Sequence, residues 1–92
     1  MHSGRIEQAM GEMANSGNYS EIYGNRAMDT AGLNGSWRPD ISAKGTNGEW
    51  RIIEFASPSQ RCGTFGYRML ESKVMLMKEM NPNVKYFDIV PW

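Results

Sequence analysis

The chain has 92 residues, with ten basic against ten acidic side chains, 40% hydrophobic and 22% charged content. A chain of this length folds around one core and buries only about 60–65% of its unfolded surface. Zero net charge gives no bulk attraction for nucleic acid, and no apolar run approaches the roughly 20 residues that cross a bilayer. No charged-then-apolar signal segment opens the sequence. One cysteine, Cys62, and one histidine, His2, exclude an internal disulfide, a Cys/His zinc site and histidine-dependent nucleophilic machinery. Any catalysis within the chain falls to carboxylates, lysine, arginine or amides.

Taken in chain order, Ile6, Ala9, Met10 and Met13 fall at i, i+3, i+4 and i+7, which predicts a helix over Ser3 to Ala14. Asn15-Ser16-Gly17-Asn18 breaks it, and Tyr19 to Met28 reads as a second helical segment weakened by Gly24. Asp29 to Trp37, with Gly32, Asn34 and Gly35, reads as loop. After Arg38-Pro39-Asp40 the pattern becomes strand-like: Ile41-Ser42-Ala43, then Asn47-Gly48 as a hairpin signal, then Glu49 to Ala56. A period of two puts Ile52, Glu54 and Ala56 on one face of that strand and Arg51, Ile53 and Phe55 on the other. Pro58 ends it. Tyr67 to Met80 is the clearest helix, stopped by Asn81-Pro82-Asn83, and Val84 to Val90 is a last strand. A hairpin, a crossover helix and another strand predict a small mixed α/β sheet of three to four strands, its last strand parallel to one of the hairpin pair. No repeat or linker divides the chain, so residues 1–92 read as one domain, with a helix over 1–16 and a core over 17–92.

Two charged positions stand out. Counting outward from the hairpin, Asp40 and Glu54 fall within one or two positions of being cross-strand partners. Two carboxylates so placed repel, and a shared Mg²⁺ or Mn²⁺ resolves the repulsion, because such cations take carboxylate oxygens together with substrate phosphate. On the long helix, with Met69 at zero, Leu70, Val74, Leu76, Met77 and Met80 span about −20° to 140°, and Lys73 falls near the centre at about 40°. A lysine there needs a carboxylate or phosphate to meet it. A structural ion pair with a sheet carboxylate satisfies that need as well as a ligand does. Trp37, Trp50 and Trp92 could stack on bases, but core packing accounts better for at least two of them, and Phe65 and Tyr67 could serve in either way.

Arg38-Pro39-Asp40, a hairpin, and Ile52-Ile53-Glu54-Phe55-Ala56 together resemble the PD-(D/E)xK nuclease core, an αβββαβ (restriction-endonuclease-like) sheet. Ala31-Gly32-Leu33-Asn34-Gly35, Ser57-Pro58-Ser59-Gln60 and Asn81-Pro82-Asn83 further resemble C-terminal toxin domains of bacterial polymorphic toxins of the contact-dependent inhibition and Rhs types. The resemblance implies a metal-dependent endonuclease acting on DNA or RNA, delivered into the cytoplasm of a target bacterial cell and neutralised by an immunity protein. It implies that Asp40 and Glu54, with the Phe55 carbonyl, hold the metal. Arg38, Ser57, Ser59, Arg61 and Arg68 would contact substrate. The family's lysine would stand at position 56, which is alanine here; in such nucleases it migrates to the following helix, where Lys73 stands. Gln60 could take part of its work by orienting water or phosphate, although an amide is no base. Glu21 resembles the acid that some members carry on their first helix. Read without the resemblance, Glu21 and the three arginines are ordinary solvent charges. Two other functions fit the same residues: a catalytically degenerate fold that binds nucleic acid or protein, as Ala56 suggests, and an interaction protein using its methionine-rich helix, although most of those methionines lie at core spacing.

Overall fold

The computed structural model describes residues 2–91, with side chains over 4–91; Trp92 and the side chain of His2 lie outside the described residues. Helix α1 (His2–Ser16) lays Ile6, Ala9, Met10 and Met13 against one face of a four-stranded sheet, the stripe its spacing predicts. Strands β1 (Tyr19–Gly24), β2 (Ile41–Gly45), β3 (Trp50–Phe55) and β4 (Tyr86–Val90) lie side by side in chain order. The first three are antiparallel, and β4 runs parallel to β3, as the crossover through helix α2 (Phe65–Met80) requires. The result is a small mixed α/β fold with one helix on each face of the sheet.

The segment expected as a second helix is a strand followed by a short 3-10 turn at Met28–Ala31. Pairing decides this. Ile22 lies opposite Ala43 on the α1 side, while Tyr23 lies opposite Ser42 and stacks on Trp50 across the other face. Aromatic and β-branched side chains are worth more on a pleated surface than in a helix that Gly24 would weaken. Asn25, at φ 51°, ends the strand. The predicted loop from Asp29 accordingly begins inside the 3-10 turn.

The β2–β3 hairpin closes through Thr46-Asn47-Gly48. Gly48 donates its N–H to the Gly45 carbonyl (2.9 Å), and Gly45 donates to that of Glu49 (2.7 Å). Gly48 sits at φ 87°, the left-handed step of such a loop. Two cores result. Ile41, Ala43 and Phe55 face α1; Met28, Leu33, Ile52, Met77 and Val84 fill the α2 side.

Helix α2 corrects the wheel argument. Leu70 and Met77 are buried and Val74 is half-buried, but Met69, Leu76 and Met80 face solvent at 57%, 51% and 49% exposure. The apolar arc is therefore wider than the face the sheet can cover. Lys73 stands at the boundary between the two halves, and core spacing does not account for Met69, Met75 or Met80. The helix starts two residues earlier than expected, at Phe65. Gly66 allows this: a Cβ there would lie 2.2 Å from the Ser59 carbonyl oxygen, so only glycine lets α2 pack against the preceding turn.

Candidate active site

Asp40 and Glu54 meet because of the hairpin register. Ile41 pairs with Ile53, so one step outward sets Asp40 opposite Glu54. The two do not simply oppose their charges. Asp40 donates its main-chain N–H to Glu54 Oε1 (2.8 Å), and Phe55 donates its N–H to Asp40 Oδ2 (2.7 Å). Each carboxylate thus accepts a main-chain hydrogen from the other's strand, which stabilises its charge. Lys73 completes the group from α2, with Nζ 2.6 Å from Glu54 Oε2. Glu54 is almost fully buried, its side chain 4% exposed, while that of Lys73 is 37% exposed. A buried acid inside an apolar run thereby finds the cation it needs.

Beyond Glu54 the chain enters the short turn Pro58–Gln60. Ser57 donates its N–H (3.0 Å) and its hydroxyl (3.2 Å) to Gln60 Oε1, and the Ser57 and Ser59 hydroxyls lie 3.1 Å apart. Gln60 is therefore a cap of this turn, leaving its amide nitrogen as the end that can meet a ligand. Arg61 and Arg68 are exposed. Arg38 is exposed and donates to the Asn25 carbonyl (3.2 Å). Ala56, where the strand lysine would stand, is fully buried.

Glu21 does not join the pair. It lies on β1 rather than on a helix, opposite Lys44, which is four residues, about 13 Å, along β2 from Asp40. There it accepts a hydrogen bond from the Tyr23 hydroxyl and lies 3.9 Å from Lys44 Nζ. That bond, with burial, holds the Tyr23 phenol above its ordinary value of 10.0. Trp50, 6.3 Å from Tyr23 between ring centroids, and Trp37 pack beside the core, Tyr67 is half-buried, and Phe65 is 76% exposed.

Asp40 and Glu54 are hard oxygen donors of the kind that take Mg²⁺ or Mn²⁺ along with water and phosphate. Among the described residues no three His, Cys, Asp or Glu side chains converge on one point, so an ion here would have two side-chain ligands. The main-chain donors of Asp40 and Phe55 carry no sequence signal of their own; only the hairpin register implies them. Asn81, a helix stop and part of the Asn81-Pro82-Asn83 motif in the sequence, is fully buried. Its Oδ1 accepts from the Asn34 N–H (2.8 Å) and its Nδ2 donates to the carbonyls of Asn34 (3.0 Å) and Met77 (2.9 Å), bolting the end of α2 to the loop before β2. Among the described residues no helix is long and apolar enough to cross a membrane. Comparison with known proteins finds no matching family, no matching curated relative and no matching solved structure.

Proposed function

We propose that the chain is a metal-dependent nuclease that hydrolyses phosphodiester bonds in DNA or RNA, acting as an interbacterial toxin domain held in check by an immunity protein. The observation that carries the reading is the meeting of Asp40, Glu54 and Lys73, two strand-end carboxylates and a helix-borne lysine within hydrogen-bonding reach. The element order, helix, three strands, helix, strand, agrees with the αβββαβ order of the PD-(D/E)xK core and supports the same reading. Asp40 and Glu54 would hold Mg²⁺ or Mn²⁺, which when bound lowers the pKa of a water and offsets charge on the phosphate. Lys73 keeps a fixed positive charge beside Glu54, where it can orient the attacking water or meet a phosphate oxygen. Arg38, Arg61 and Arg68, all exposed, would grip backbone phosphates.

A second reading, a binding fold without cleavage, is favoured by one observation: both Glu54 oxygens already accept hydrogen bonds. Purified protein incubated with plasmid DNA and with total tRNA in Mg²⁺, Mn²⁺ or EDTA separates the two. Metal-dependent cleavage that Asp40→Ala and Glu54→Ala abolish is the expected result. Retained binding without cleavage of either substrate in any metal would overturn the nuclease and leave the binding fold. Growth arrest on expression, relieved by the product of a neighbouring reading frame, tests the toxin role separately.

A further inference from the structure

One line along the solvent-facing side of α2 is apolar, beside the exposed charges Arg68, Glu71, Lys78 and Glu79. Phe65, Met69, Leu76 and Met80 are exposed at 76%, 57%, 51% and 49%, and they recur with Ser72 at i, i+4, i+7, i+11 and i+15, the spacing of one helical line. Four large apolar side chains in one row on a 92-residue chain form a patch that water does not favour and that core packing does not use. Lys73 borders the row on one side with its ammonium committed to Glu54.

The row is nearly its own mirror in sequence. Reversed end for end, Phe65 falls on Met80 and Met69 falls on Leu76, and the crossing point lies between Ser72 and Lys73. An antiparallel two-fold pairing therefore sets large apolar residues against large ones, with Ser72 near the centre. The charges on the far flank agree. Arg68 and Glu79 lie within about 20° of each other around the helix, one near each end, so reversal brings Arg68 beside Glu79 of a second copy, and Glu79 beside its Arg68. Both are exposed.

We propose that this face of α2 is a homodimer interface, in which the chain pairs with a second copy through antiparallel α2 helices. The inference does not rest on the proposed catalysis, although it draws Arg68 away from the phosphate contact proposed for it. A contact between two helices of 16 residues falls at the small end of specific interfaces, below about 1,200 Å², so the dimer is reversible. Sedimentation or light scattering over a concentration series reads it directly: the mass climbs from 10.4 kDa towards twice that value. Met69→Glu and Leu76→Glu, both at exposed positions, keep the circular dichroism of the parent and hold the mass at the monomer value. Arg68→Glu weakens association, and R68E/E79R restores it. In a Cys62→Ser background, Ser72→Cys crosslinks to its own copy on oxidation while Lys78→Cys, about 120° further round the helix from Ser72, does not. A monomer at every soluble concentration, a dimer indifferent to Met69→Glu, or equal crosslinking at positions 72 and 78 would overturn the proposal, and the first of these would hand the face to a different protein.

Discussion

Lys73 Nζ lies 2.6 Å from Glu54 Oε2, joining a lysine at the edge of α2 to an acid sealed within the sheet. The pair is asymmetric. Removing Lys73 leaves a carboxylate with almost no access to water, whereas removing Glu54 leaves a lysine that solvent already reaches. Lys73→Met is therefore expected to cost about 1–3 kcal/mol in urea unfolding, because a buried charge loses its partner. The double variant Lys73→Met/Glu54→Gln is expected to be more stable than Lys73→Met alone. For cleavage, Asp40→Ala and Glu54→Ala are each expected to lower the rate at least about 100-fold, the scale on which catalytic groups act. Lys73→Met retaining full activity would remove the lysine from the mechanism while leaving the carboxylates in it.

Asn81 makes its three side-chain bonds while fully buried. Its truncation to alanine strands the Asn34 N–H and two carbonyls, and about 2–4 kcal/mol of stability should go with them. Hydrogen exchange at Asn34 should accelerate more than exchange in the β2–β3 ladder. Equal acceleration throughout would mean that the bolt is global rather than local.

Gly66→Ala puts a methyl group 2.2 Å from a main-chain oxygen of Ser59. Neither backbone can yield cheaply, so at least about 2 kcal/mol of destabilisation is expected, against the modest gain that alanine brings to an unhindered helix. Thermal unfolding of the variant beside Gly4→Ala, where a Cβ meets nothing within 4 Å, isolates the clash.

Tyr23 titrates above 10.0 because its hydroxyl donates to Glu21 and is partly withdrawn from water. A raised folded value means that this bond contributes its stability in full below the unfolded value near 10, and loses it as pH rises through the folded value. Glu21→Ala should return Tyr23 towards 10, read by spectrophotometric titration as a difference from Tyr23→Phe. An unchanged titration would show that burial alone holds the proton.

The hairpin was legible because Asn47-Gly48 fixes register locally, and register alone carries Asp40 to Glu54. Lys73 is legible as an inward-leaning charge, but the apolar arc around it is wider than the face the sheet covers. Half of that arc faces solvent, since hydropathy records which residues are apolar and not how much of the helix the sheet has room to cover. Tyr19 to Gly24 was misread for a different reason. Its six residues suit a strand only when β2 lies alongside, and its partners there, from Gly24 opposite Ile41 to Tyr19 opposite Gly45, are distant in sequence. Glu21 moved with the segment that carries it.

Arg5 adds a consequence at the scale of the whole polypeptide. From α1 its guanidinium donates to the carbonyls of Pro91 (2.8 Å) and Ala56 (3.4 Å) and lies over the Phe55 ring, 5.4 Å from its centroid. Residues 5 and 91 are thus clasped across the same strand end whose Phe55 N–H holds Asp40. Closing so long a loop costs entropy that grows slowly with its length, and contacts this distant in sequence tend to form after local ones such as the hairpin. The strand end that carries Phe55 is thus held by contacts from opposite extremes of the described residues. A circular permutant that joins those extremes and opens the Asn47-Gly48 tip would begin with the clasp in place, and it would set that latch before the hairpin rather than after it.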